Sequence, residues 1–143
     1  MRRTRTILMV AAVFSASLGG WFYWQSQERQ ATQSAEAGAA MVQVHRPELS
    51  KAALQGETLF RANCATCHGD IADGRVGRGP PLVHKIYEPS HHGDASFFLA
   101  AAQGVRAHHW PFGNMPPVDT VSQDEVGKIV VYVRSLQRAN GIF

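Results

Sequence analysis

Two glycine- and proline-rich stretches, His68 to Ser90 and Trp110 to Val121, divide the second half of this chain into short helical pieces, and that pattern constrains the fold most. Pro47 opens the first ordered region. Ser50 is placed to cap a helix from Lys51 to about Asn63, with Leu54, Leu59 and Phe60 as its apolar positions. Gly56 inside that helix costs about 1 kcal/mol relative to alanine, so it points to a close helix contact. A second helix is expected to start with Asp94 as N-cap and to run through Phe97, Phe98 and Leu99 to a stop at Gly104. The last helix carries the clearest signal. Ser122 and Glu125 match a capping box, Val126, Ile129, Val130, Val133 and Leu136 repeat at helical spacing, and Asn140-Gly141 closes the run. The fold class is therefore all-α. Three helices on two long irregular loops supply too little apolar material to hold a domain of this size by their own core, so something large has to fill the middle.

The N-terminal end has a different character. From Thr6 to Trp24 lie nineteen uncharged residues, about the ~20 that a helix needs to cross the hydrocarbon core. Arg2, Arg3 and Arg5 precede them, and Trp21, Tyr23 and Trp24 stand where an interfacial aromatic belt would. The positive-inside rule then keeps the N-terminus in the cytoplasm and sends the rest across. Residues 1–24 read as a single-pass anchor. A cleaved signal peptide competes with that reading, since Thr6 to Phe14 would serve as its apolar region and Ser15-Ala16-Ser17 offers small residues at cleavage spacing. Either way the following domain is exported. Residues 25–46, rich in Gln, Ala, Ser, Thr and Glu, read as a linker, though the alanines could let part of it extend the membrane helix; residues 47–143 form the domain.

Charge narrows the range of partners. The chain has net charge +3, and the three N-terminal arginines carry the whole excess: from Gln25 onward eleven basic residues balance eleven acidic ones. A nucleic-acid binder is not expected from that distribution. The 143 residues, 45% hydrophobic, leave room for one small folded domain and exclude a disordered chain.

The two cysteines stand in Cys64-Ala65-Thr66-Cys67-His68, the C-x-x-C-H attachment sequence for c-type haem. Two thiols at this spacing can each form a thioether to a vinyl group on one porphyrin edge, and the adjacent His68 then reaches the iron as proximal ligand. Covalent haem attachment in bacteria takes place outside the cytoplasm, which agrees with an exported domain. A disulfide would leave His68 unexplained, a thioredoxin-like pair would want a strand before it, and a zinc site would need two more ligands.

The rest of the chain follows the same lead. From about Ala53 to Arg138 it resembles a class I cytochrome c: Gly56 and Phe60, then C-A-T-C-H-G at 64–69, G-P-P-L at 79–82, N-M-P-P at 114–117, and Tyr132 in the last helix. The resemblance implies a cytochrome c fold of three main helices around one covalently bound haem c, held by Cys64 and Cys67. It implies that Gly56, Phe60 and Tyr132 form the contact between first and last helices, that the Pro80 carbonyl accepts the proton on the other nitrogen of His68, and that Leu82 packs on the haem face. Met115 is the candidate distal ligand, being the one methionine outside the anchor and linker. A neutral thioether favours ferrous iron and raises the potential.

Five more histidines fall between the haem motif and Met115: His84, His91, His92, His108 and His109. His108 or His109 could replace Met115 on the iron, the two His-His pairs could converge into a copper or zinc site, or all could be surface or propionate-contacting residues. Phe97, Phe98, Trp110 and Phe112 are expected to enclose the haem. No acid/base pair, nucleophile or phosphate loop stands out, so neither catalysis nor a small-molecule substrate is expected.

The chain therefore reads as a membrane-anchored monohaem carrier of single electrons, with its domain in the periplasm of a bacterium. Its partners would be a redox-protein donor and acceptor, with Arg61, Arg75, Arg78 and Lys85 as candidate steering charges. Two other readings stay open: a haem sensor or copper-handling protein that uses the histidines, and a cytochrome subunit of a larger oxidase or reductase.

Overall fold

A computed structural model describes residues 19–32 and 36–143. The chain divides into two units, Met1–Glu36 and Ala37–Phe143. In the first, residues 19–32 are helical, so the helix runs on past Trp24 into the expected linker, and Trp21, Phe22, Tyr23 and Trp24 are all exposed. Most of the expected span from Thr6 to Trp24 lies outside the described residues. Among those described, no helix is long and apolar enough to cross a membrane.

The second unit contains α1 (Lys51–Asn63), the single turn α2 (Ala65–His68), a 3-10 turn at Lys85–Tyr87, α3 (Asp94–Gln103) and α4 (Gln123–Ala139). Sequence determines both long helices directly. Ser50 Oγ accepts the Ala53 N–H at the start of α1, and at α4 Ser122 and Glu125 satisfy each other's backbone in a full capping box. Ala53, Gly56 and Phe60 line the buried face of α1. Against them α4 buries Val126, Ile129, Tyr132, Val133 and Leu136.

Gly56 makes this crossing possible. A Cβ there would strike the Lys128 carbonyl oxygen and stand 2.9 Å from Tyr132 Cβ, so only glycine lets the two backbones approach this closely. The rings of Phe60 and Tyr132, both fully buried, then meet with centroids 5.5 Å apart and planes tilted by 56°, a favourable aromatic geometry.

Four local expectations differ from the structure. Leu54 is 46% exposed, because it lies on the side of α1 away from α4. Asp94 is the first residue of α3 rather than its cap: Gly93 holds the cap position, and the Asp94 carboxylate instead takes the Arg134 Nε–H at 2.8 Å. Arg75 is no free steering charge, since its guanidinium donates to the carbonyls of Ala65 and Gly38 and to Asp70. Finally, the ordered domain begins ahead of Pro47. Gly38 N–H donates to Val76 O and Val76 N–H to Ala39 O, Met41 N–H donates to Asp73 O, and His45 and Asn140 exchange two bonds of 2.9 Å. Those bonds fasten residues 37–46 to the loop after α2 and to the end of α4.

A buried polar network ties α4 to the loop that precedes α3. Arg134, 6% exposed, donates to the carbonyls of Tyr87 and His92, to Gln137 Oε1 and to Asp94, and its guanidinium lies 5.0 Å over the Phe97 ring. Gln137, fully buried, passes its own N–H groups to the carbonyls of Leu82 and Tyr87. A buried charge is tolerated only when it is this well matched.

Candidate functional site

The short turn α2 is built by the motif itself. His68 N–H bonds back to Cys64 O and Gly69 N–H to Ala65 O, which keeps both thiols and the imidazole on one turn. Gly79 packs directly against this turn: a Cβ would come within 2.7 Å of Cys67 O. That approach lets Pro80 O reach His68 Nδ1 at 2.9 Å. A carbonyl can only accept, so Nδ1 carries the proton and Nε2 keeps its lone pair. Burial pushes the imidazole below its ordinary pKa, against the opposing pull of the Pro80 bond, so His68 is a neutral nitrogen donor.

The two cysteines are not joined to each other. Cys64 is a poor thiolate, since burial first and Cys67 second push its thiol up to about 11. A thioredoxin-like nucleophile wants the opposite, a lowered pKa.

A cavity of about 330 Å³ opens beside the motif, within the ~300–1,000 Å³ usual for cofactor pockets. Cys64, His68, Pro80 and Leu82 line one part of it, Phe97, Trp110 and Phe112 another, and Met115 is in the same wall. Val126 and Ile129 of α4 and Phe60 of α1 complete the apolar lining. Phe98 is not part of it; its ring rests near Gly127 of α4, 3.7 Å from where a Cβ would stand.

Met115 is held at its backbone. Its N–H and C=O each pair with Val105 at 2.9 Å, forming a two-bond antiparallel bridge. Gly104, at φ +73°, permits this: a Cβ would strike Met115 O and stand 3.1 Å from Pro117 Cδ. Asn114 Oδ1 adds a bond from Ala107 N–H.

The cavity wall also holds Tyr87, which the sequence did not suggest, and three of the histidines, His92, His108 and His109. The buried Trp110 indole N–H makes no hydrogen bond of full geometry; it has only an interaction with the Tyr87 side chain. A donor so poorly matched in an otherwise apolar wall suits a ligand that brings its own acceptor, as a carboxylate-bearing macrocycle does. Nothing in the spacing of Trp110 announces this. Cys67 is exposed and outside this lining, though on the same turn as Cys64. The residues present thus fit a haem: one thiol in the wall and a second beside it, one neutral imidazole, one thioether and a large apolar chamber.

Residues 53–137 match the family model for cytochrome c. The chain belongs to the cytochrome c family. It therefore has an all-α cytochrome c fold and carries covalently bound haem c. Cytochrome c-L of Methylorubrum extorquens is 28% identical over 81 residues, which make up 57% of this cytochrome and 38% of that protein. The chain thus spans well under half of that relative's length. No solved structure matches it.

The extra histidines separate into two groups. His84 stands apart, its ring 5.2 Å from Trp110 and its Nδ1 accepting the Ile86 N–H. His91, His92 and His109 instead converge, each with a ring nitrogen within 4.8 Å of the others', and His108 packs 4.2 Å from His109 between ring centroids.

Proposed function

We propose that this cytochrome passes single electrons between redox proteins through a haem ligated by His68 and Met115. The observation that carries the reading is the shared cavity: His68, with its proton held at Nδ1 by Pro80, and Met115, with its backbone pinned to Val105, line the same chamber as Cys64. The bound haem iron supplies the one-electron ferric/ferrous chemistry. The protein's part is to fix its surroundings. His68 is held in one tautomer, which raises its basicity as a ligand. Leu82, Phe97, Trp110 and Phe112 exclude water, and together with a neutral thioether that raises the potential. A fixed ligand pair also leaves little to rearrange between oxidation states.

The ferric spectrum in the near infrared tests this ligation, because methionine bound to iron gives its own charge-transfer band there. That band is expected in the full-length holoprotein and absent in Met115→Ala. Low-spin ferric iron without the band would transfer the sixth position to a histidine, and His108 and His109 line the same cavity.

The second part of the proposal is location. The uncharged run from Thr6 to Trp24 behind three arginines supports an uncleaved anchor in the bacterial cytoplasmic membrane, with the domain in the periplasm. Retention of the haem protein in membranes after a high-salt wash, and its digestion by protease added to spheroplasts, are the expected results. Release by salt, or protection from protease, would refute this location. Arg61, Arg78 and Lys85, all exposed, support an acidic redox partner. A rate of electron exchange that does not change with ionic strength would refute that pairing.

A further inference from the structure

The histidines in the turn just ahead of α3 and those in the loop before Met115 lie on opposite sides of that helix in sequence, yet the fold brings them together. A ring nitrogen from each of His91, His92 and His109 lies within 4.8 Å of the other two. The ring centroids of His91 and His92 are 4.6 Å apart, and those of His92 and His109 are 5.3 Å apart.

One member is already prepared as a ligand. His92 Nδ1 donates to Ile86 O at 2.7 Å, which leaves Nε2 with the lone pair. That pattern, one ring nitrogen held by a carbonyl and the other free, is the usual outer-shell support of a metal-bound imidazole. The backbone under it is fixed as well, since the His92 carbonyl accepts a bond from buried Arg134. His91 and His109 are exposed, so they are free to swing. Imidazole nitrogens 2.0–2.1 Å from a tetrahedral ion stand about 3.3 Å from each other. Small rotations of the two exposed rings onto the fixed one close that gap.

We propose that His91, His92 and His109 form a binding site for a divalent first-row transition metal, with copper(II) held most tightly. Three imidazoles and no thiolate or carboxylate suit copper, zinc or nickel, and the Irving–Williams order puts copper first among them. His108, stacked alongside His92 with centroids 6.1 Å apart, is available for a fourth position. The site is also coupled to the carrier function. His92 and His109 line the haem cavity, so a cation bound by them adds positive charge beside it. On the electron-carrier reading, that charge favours the reduced protein, and by reciprocity reduction tightens the metal by the same factor.

The test uses tag-free, full-length holoprotein stripped with a chelator. Equilibrium dialysis against copper(II) is expected to leave one copper per haem. In the double variant His91→Gln/His109→Gln, affinity is expected to fall by more than about tenfold, the smallest loss seen when even an outer partner of a metal site is removed. His45→Gln, exposed and outside the cluster, is the control and should bind as the wild type does. An unchanged haem spectrum in the double variant shows that it folds. Sub-stoichiometric copper in the wild type, or equal uptake by the double variant, would overturn the site. Zinc(II), which is redox-inert, should raise the midpoint potential of the wild type and leave that of the double variant in place; zinc uptake with an unmoved potential would overturn the coupling. Failure here is distinguishable from failure of the carrier reading: a chain lacking covalent haem but binding copper sinks only the latter.

Discussion

Two glycines at helix interfaces should respond in opposite ways to the same added methyl group. In Gly56→Ala the new Cβ meets the Lys128 carbonyl oxygen, with the carbonyl carbon at 2.7 Å and Tyr132 Cβ at 2.9 Å. Two of those three atoms are backbone, so no rotamer change relieves the overlap and α1 must move off α4. Overpacking costs about 1–3 kcal/mol, and a backbone collision belongs at the upper end. Alanine returns about 1 kcal/mol in helix propensity, leaving a net loss of about 2 kcal/mol. In Gly127→Ala the added Cβ finds Phe98 Cζ at 3.7 Å, an ordinary van der Waals contact, so the propensity gain of about 1 kcal/mol survives. A domain of this size shifts its midpoint by about 4–8 °C per kcal/mol. Thermal unfolding of the holoprotein, followed by far-ultraviolet circular dichroism, should therefore drop by about 10 °C for Gly56→Ala and rise by about 5 °C for Gly127→Ala. A Gly56→Ala protein as stable as the wild type would refute the account of the α1–α4 contact, and so would a common direction for both variants.

Arg134→Met removes the donors to the His92 carbonyl and to Gln137 Oε1, while the Tyr87 carbonyl keeps its bond from Gln137; with about 1–3 kcal/mol lost for each buried group left unpaired, the urea midpoint should fall by the equivalent of several kcal/mol. Gly104→Ala forces a side chain into positive φ and against the Met115 carbonyl, so the methionine charge-transfer band should weaken at a temperature where the wild type keeps it. The Arg46 guanidinium, bonded to Glu57 at 3.0 and 2.7 Å, holds that carboxyl below its usual range. Because the folded-state pKa is the lower one, the stabilisation is complete above the ordinary carboxylate pKa and is lost as pH falls through the depressed value. The stability gap between wild type and Glu57→Gln, measured by urea titration, should therefore narrow from pH 7 towards pH 3, and a constant gap would refute the assignment.

What the sequence made legible was local. The capping box at Ser122, the apolar repeat of α4 and the C-x-x-C-H turn each depend on residues within a few positions, and all are present in the structure. The Pro80 bond to His68 and the Phe60–Tyr132 contact were also foreseen, through the family resemblance rather than through spacing. The misplaced residues share a different cause. Asp94 looks like a cap until Arg134, forty positions away, takes its carboxylate. Phe98 is indistinguishable in sequence from Phe97, yet only Phe97 faces the cavity. Arg75 looks like a surface charge until the carbonyls of Ala65 and Gly38 close on it. Residues 37–46 have no periodicity because backbone bonds to the 73–76 loop hold them in place, with Val44 packed on the core rather than a repeating apolar face. The convergence of His91 and His92 with His109 depends on the path of two loops, which no short-range rule fixes.

The bridge between Val105 and Met115 turns the intervening residues into a closed excursion with a fastened neck. Everything between those two points, including His108, His109, Trp110 and Phe112, projects from a fixed base. Substitutions, and even small changes of length, within the excursion are thereby insulated from the position of Met115. Such an arrangement allows the surroundings of the haem chamber to diversify while the methionine stays put, and it marks the excursion as the segment to exchange when new properties are to be grafted onto this scaffold.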